Sequence, residues 1–173
     1  DNNPHGRHLA DICRRAHDAD YKVVLVPHTK RPGRPDPRNC DFAVAERVRA
    51  AARDEVALVE EDLDPIRLKS IIGGAHIHVG GRYHSIVAAL STGVPCISLS
   101  WHAKYLDIMR QYGLGAFVIN ALDTKELEDG FPDLLRGLMN RRDELHAQLC
   151  NTQDTVAKAA NENADLVVEL LRG

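Results

Sequence analysis

Residues Gly80 to Leu114 read GGRYHSIVAALSTGVPCISLSWHAKYLDIMRQYGL, and this stretch decides the fold. A glycine pair, Gly80-Gly81, closes a short apolar run and lets the backbone turn sharply. Arg82, Tyr83 and His84 then lead into a helical run ending near Thr92. Gly93 stops that helix and Pro95 prevents its continuation. Cys96 to Leu99 reads as the next strand, and Ser100 to Lys104 as a second loop before another helix. Two neighbouring strands are thus each followed by a loop carrying cationic or imidazole side chains. In a parallel α/β sheet such loops open on the edge where ligands bind.

The same alternation extends outward on both sides. Leu9, Ile12, Cys13 and Ala16 recur at helical spacing, after an expected loop over residues 1–6. Val23 to Val26 is a continuous run of strand formers, as in a strand covered on both faces. A loop rich in proline and basic residues follows, from Pro27 to Arg38. Asp41 is placed to cap a helix that buries Phe42, Ala45, Val48 and Ala52. Glu55 to Val59 is the second strand. Asp64-Pro65 starts the helix Ile66 to Ile72, and Ala75 to Val79 is the third strand. After Tyr105 to Tyr112, a helix, Ala116 to Ile119 is the fifth strand. From Thr124 onward the pattern is helical. Leu145, Leu149, Thr152, Val156, Ala159, Asn163, Leu166 and Leu170 form a four-three seam on a long last helix. Strands alternating with helices predict a Rossmann-like three-layer α/β domain with a parallel sheet of about five strands.

Composition narrows the function classes. The 173 residues carry a net charge of -3, which speaks against a general nucleic-acid binder. Aromatic residues make up only 5%, too few for a base-stacking surface. No apolar run approaches the roughly 18 residues of a membrane span. The four cysteines, Cys13, Cys40, Cys96 and Cys150, form no CxxC pair and read as buried, reduced thiols.

The candidate site follows from the ligand edge. Arg82 offers a planar pair of donors suited to carboxylate or phosphate, and the helix start beside it presents amides and positive dipole. The alternative for Arg82 is a structural ion pair, for example with Asp107. His84 lies in the first helical turn, where an imidazole near neutrality can pass protons; the alternative is a packed core histidine. Lys104 begins the next helix and adds charge, unless it is simply solvated. His28 follows the first strand, while Gly81, Tyr83 and Ser100 line the same expected edge. His76 and His78 would alternate on one strand face, yet no third ligand stands at a useful spacing, so no metal is expected. GxGxxG, GKS/T, GxSxG and HExxH are absent, and no cofactor is expected.

These residues bear a family resemblance. Gly80-Gly-Arg-Tyr-His84, Ala88-Ala89, Gly93-Val-Pro95, Lys104 and Gly113-Leu114 resemble the C-terminal half of the polysaccharide pyruvyl transferases, and Leu25 to His28 and Asp41 fit the same pattern. The resemblance spans roughly residues 2–122 and is strongest over Gly80 to Leu114. It implies one half of a fold like that of the GT-B glycosyltransferases, with residues 1–122 as the Rossmann-like core. Residues 123–173 would be helices packing on that core or across to a missing first domain. It implies a cytoplasmic enzyme of exopolysaccharide or cell-wall biosynthesis. Such an enzyme moves a pyruvyl group from phosphoenolpyruvate to two hydroxyls of a saccharide acceptor, forming a ketal. Arg82, His84 and Lys104 correspond to residues the family uses on the donor, with His84 and Lys104 in the catalytic part. This half alone is expected to be inactive. Two other readings remain. One is the donor domain of a nucleotide-sugar glycosyltransferase or epimerase, with Glu60, Glu61 or Asp62 holding ribose hydroxyls. The other is a non-catalytic scaffold.

Overall fold

Short runs of Val, Ile and Leu, bracketed by chain breakers, become the strands of this protein, and the amphipathic runs between them become its helices. The computed structural model describes residues 4–29, 40–52 and 56–172. The elements run α1 (Pro4–Asp18), β1 (Val23–Leu25), α2 (Asp41–Ala51), β2 (Val56–Leu58), α3 (Pro65–Gly73), β3 (His78–Gly80) and α4 (Tyr83–Leu90). They continue with β4 (Cys96–Ser100), α5 (Ala103–Gln111), a 3-10 turn (Gly115–Phe117), β5 (Val118–Asn120), α6 (Thr124–Asn140) and α7 (Arg142–Arg172).

The expected α/β alternation is present, and every strand pairing is parallel. The strands pair in two sets: β1 with β2, and β3, β4, β5 in that order. The chain correspondingly forms two compact units, Asp1–Leu68 and Lys69–Gly173. In the first unit Val23 pairs in register with Val56 and Leu25 with Leu58. Ala10, Cys13, Val48, Ala52 and Val56 make its core, with Leu9, Val23, Leu25 and Val44 packed against them. The expected loop over residues 1–6 gives way to helix at Pro4, a residue whose fixed φ suits a first helical turn. Residues 30–39 of the proline-rich loop lie outside the described residues.

Asp41 does not cap α2. Cys40 is the extended residue before the helix, and Asp41 is already helical. Its carboxylate instead accepts the backbone N–H groups of His28 (3.2 Å) and Thr29 (3.1 Å), tying the end of β1 to the helix start. Asp64 caps α3 as its position predicts, accepting from the amides of Ile66 at 2.9 Å and Arg67 at 3.0 Å.

In the second unit β4 is buried along its whole length, so it is the centre of the domain. His78 and Cys96 are register partners and therefore share a sheet face. His78 meets Ser85 of α4, and Cys96 meets Met109 of α5, so both crossover helices cover that face. Gly130 of α6 lies against Ile119 on the opposite face. Three layers result. Ile86, Leu90, Ile97, Met109, Leu114, Ile119, Phe131 and Leu138 fill the interior, each at most 1% exposed. Each such side chain contributes roughly 1.5–3 kcal/mol by leaving water. That burial carries α6 unbroken through Gly130 and Pro132, where local propensity alone would weaken it. The fifth strand begins two residues later than Ala116, because Gly115–Phe117 first closes a 3-10 turn that buries Phe117. His76 precedes β3 rather than sharing a strand face with His78, since pairing starts only at His78.

Helix α7 runs along the strand edge opposite the loops of Gly81 and Trp101. Arg142 donates to the carbonyl of His76 at 3.4 Å, and His146 Nδ1 lies 2.6 Å from the carbonyl of Gly93. Gln148 donates to Tyr112 at 2.9 Å and Gln153 to Leu90 at 3.2 Å. The last three satisfy carbonyls at or just beyond the C-terminal ends of α4 and α5. Leu145 and Leu149 of the apolar seam are buried beneath them. Farther along, residues 157–172 are all exposed, including Leu166 at 57% and Leu170 at 82%. One expectation about cysteine is corrected here. Cys13, Cys40 and Cys96 are buried, but Cys150 is exposed, because it lies beside the Gly93 turn instead of in the Leu145–Leu149 seam. Among the described residues, no helix is long and apolar enough to cross a membrane.

Candidate functional site

Gly80, Ser100 and Asn120 end the three parallel strands, and the pairing of Gly80 with Ser98 and of Ser100 with Asn120 sets these ends side by side. The chain leaves β3 through Gly81 and Arg82. Arg82 is extended, with φ -105° and ψ 130°, and its carbonyl accepts the amides of Ser85 (3.0 Å) and Ile86 (3.2 Å). The Ser85 hydroxyl also donates to that carbonyl, at 2.8 Å, and is itself 3.1 Å from His78 Nε2. Since Ser85 spends its proton on Arg82, the imidazole is the donor in the second contact. The backbone of Arg82 is therefore held from within the sheet, and its side chain takes no part in capping α4.

The chain leaves β4 through Trp101 and His102. His102 caps α5, its Nδ1 accepting the amide of Lys104 at 3.3 Å. Tyr105 then ties the two loops together. Its ring is 2% exposed, and its hydroxyl donates to the carbonyl of Gly81 at 3.1 Å. Tyr83 meets it edge-on, with centroids 5.6 Å apart, and Trp101 leans on it at 5.4 Å. Burial raises the Tyr105 phenol above its ordinary pKa, with the Arg82 charge and the Tyr83 amide pulling the other way.

Lys104 Nζ sits 5.0 Å from the centre of the Tyr83 ring and 5.7 Å from that of Tyr105. Such a contact is worth about 0.5–1 kcal/mol at an exposed site, enough to bias where the ammonium rests. Tyr83 is the residue between Arg82 and His84, and the His84 ring lies 6.1 Å from it, edge to face. His84 and Lys104 are both exposed. His84 is therefore not a packed core histidine. The loops of β3 and β4 bring together Gly81, Arg82, Tyr83, His84 and Lys104, with Ser100 buried at the base where β4 ends. The starts of α4 and α5 add their positive dipole ends on the same side.

His28 lies in the other unit, half-buried after β1, with its amide on Asp41. Of the carboxylates that a ribose-binding reading needs, Glu60 is paired with Arg49 at 2.7 Å, while Glu61 and Asp62 are exposed. Among the described residues no group of three or more His, Cys, Asp or Glu is arranged to hold a metal ion.

Two residues of this cluster are not anticipated from the sequence. Tyr105 is the strut between the loops, and nothing local marks its partner 24 positions away. Trp101 is 50% exposed beside it, and a lone tryptophan directly after a strand is the signal that could have pointed to it.

Comparison with known proteins gives one family. The family model described as polysaccharide pyruvyl transferase matches residues 1–103. The match takes in His28, Gly81, Arg82, Tyr83, His84 and Ser100 and stops one residue short of Lys104. The amylovoran biosynthesis protein AmsJ of Erwinia amylovora is 26% identical over 98 residues, covering 56% of this chain and 23% of that protein. The chain thus spans under a quarter of the length of this relative. No solved structure matches it.

Proposed function

The chain belongs to the polysaccharide pyruvyl transferase family, and from that membership we propose that it binds phosphoenolpyruvate for transfer of the pyruvyl group to a saccharide. The observation that carries the proposal is the placing of Lys104 over Tyr83, which joins the α5 cation to the Arg82–His84 segment. Phosphoenolpyruvate carries a carboxylate and a phosphate on a three-carbon enol. Arg82 takes one anionic group by two parallel hydrogen bonds, and Lys104 with the helix amides takes the other. Two sugar hydroxyls add to the central carbon. One of their protons goes to the methylene, which becomes methyl, and the other leaves with phosphate. His84, exposed beside the anion, is the group that delivers a proton. Gly81 gives the anion close access to the backbone, Tyr83 orients Lys104, and Ser100 supports the floor.

The proposal assigns acceptor contacts to a further domain of a longer protein, and the exposed half of α7, residues 157–172, to packing against it. Residues 1–122 are then the donor core and 123–173 its clasp. A cytoplasmic place in exopolysaccharide or cell-wall synthesis follows from the same reading. The single tryptophan supplies the test, since Trp101 leans on Tyr105 next to Lys104. Titrating phosphoenolpyruvate into the chain changes Trp101 fluorescence saturably but weakly, and Arg82→Gln or Lys104→Met weakens binding roughly tenfold or more. The chain alone gives no sustained release of phosphate with an added saccharide. Unaltered fluorescence, or variants that bind as well as the native chain, would overturn the proposal.

A further inference from the structure

Away from the anion site, at the other end of α4, a thiol and an imidazole stand together. We infer that Cys150 and His146 form a nucleophilic pair that accepts low-molecular-weight disulfides by thiol–disulfide exchange. The two lie one turn apart on α7, with Cys150 Sγ 3.8 Å from His146 Nε2. The other ring nitrogen fixes the tautomer. His146 Nδ1 is 2.6 Å from the Gly93 carbonyl, and a carbonyl oxygen only accepts, so Nδ1 carries the proton. The neutral ring then turns its Nε2 lone pair to the thiol. A backbone group orients the base and the base faces the nucleophile, the arrangement that activates a cysteine.

The site is built around the turn after α4. Gly93 has φ +75°, and a Cβ there would stand 3.1 Å from Cys150 Sγ and 3.2 Å from His146 Cε1. A side chain at that position would displace both partners. The charged neighbours are Arg142 and Asp143, paired at 2.7 Å at the start of α7, and the Asp143 carboxyl also feels His76 and His146. Cys150 is exposed, whereas Cys13, Cys40 and Cys96 are buried. Burial also pushes the Cys13 and Cys96 thiols up to about 11 and about 12.

The step is balanced without an added oxidant or reductant. His146 Nε2 takes the proton from Cys150, and the thiolate attacks one sulfur of a disulfide RSSR. A Cys150–S–S–R bond forms as the S–S bond of RSSR breaks, and the departing thiolate recovers the proton from His146 as RSH.

The test uses the 173-residue chain and glutathione disulfide, followed by intact mass and peptide mapping. One adduct is expected, on Cys150, forming at least ~10-fold faster in the folded chain than in the same chain unfolded in urea at equal pH. His146→Gln is expected to remove that advantage and to change the shape of the pH–rate profile, while Cys150→Ser abolishes the adduct. Equal rates in folded and unfolded chain would overturn the inference without reference to any variant. An unchanged pH profile in His146→Gln, or adducts spread over the other cysteines, would overturn it as well.

Discussion

Tyr105 gives its hydroxyl proton to the carbonyl of Gly81, 3.1 Å away, and so fastens the start of α5 to the loop that precedes α4. The two residues stand at the starts of different strand crossovers, and neither has a sequence neighbour in common with the other. Their bond holds Lys104 beside the segment of Arg82 and His84. Tyr105→Phe keeps the buried ring but leaves the carbonyl without that donor. It should lower stability by about 1 kcal/mol, seen as a lower urea midpoint at unchanged slope. A midpoint equal to the native one would mean that the bond adds nothing.

The seam on α7 has two unequal halves. Leu149 is 0% exposed and Leu170 is 82% exposed. Leu149→Ala therefore leaves a cavity and should cost roughly 2–5 kcal/mol. Leu170→Ala in the isolated chain should cost under about 0.5 kcal/mol. Equal effects in thermal or urea unfolding would contradict the placement of the helix.

Alkaline conditions probe the centre of the sheet. Burial raises the Cys96 thiol from 9.0 to about 12. The folded value lies above the unfolded one, so the stability that this neutral thiol confers is complete below about pH 9 and is lost as pH climbs toward 12. Between those limits the native chain should lose ~1.4 kcal/mol per pH unit more than Cys96→Ala. Parallel stability curves for the two would place Cys96 outside the core.

Surface charge gives a smaller effect of opposite sign. The Arg15 guanidinium, 2.6 Å away, lowers the Asp11 carboxyl below its usual 3.8, with Arg14 helping. The contribution is present above that value and disappears as pH falls through the folded one. Both partners are about half exposed, so solvent screening leaves at most a few tenths of a kcal/mol. Asp11→Asn should match the native chain at strongly acid pH and trail it slightly at neutral pH, as read from urea midpoints.

What was legible in the sequence was local. The Val23 run, the Cys96 run and the breaks at Gly80-Gly81 and Gly93-Val-Pro95 mark strands and helix ends through their own backbone preferences. Asp64-Pro65 announces its helix in the same way. Asp41 misleads because its carboxylate finds the amides of His28 and Thr29, thirteen and twelve residues back, which no local rule encodes. The division of the strands between β1–β2 and β3–β4–β5 likewise has no marker in the local sequence. At the site, the residue types of Arg82, His84 and Lys104 were readable. The strut at Tyr105 and the exposure of Cys150 were not, because each depends on a partner brought up by the fold.

The central claim, that Arg82, His84 and Lys104 share one small anion, is tested most directly by the imidazole resonances of His84. They should be followed by NMR while phosphoenolpyruvate and, separately, uridine diphosphate are added to the chain. The account predicts a progressive shift of His84 with phosphoenolpyruvate that is lost in both Arg82→Gln and Lys104→Met, and a weaker response to the nucleotide. Resonances of His84 that stay still with phosphoenolpyruvate, or that move more with uridine diphosphate, would contradict it.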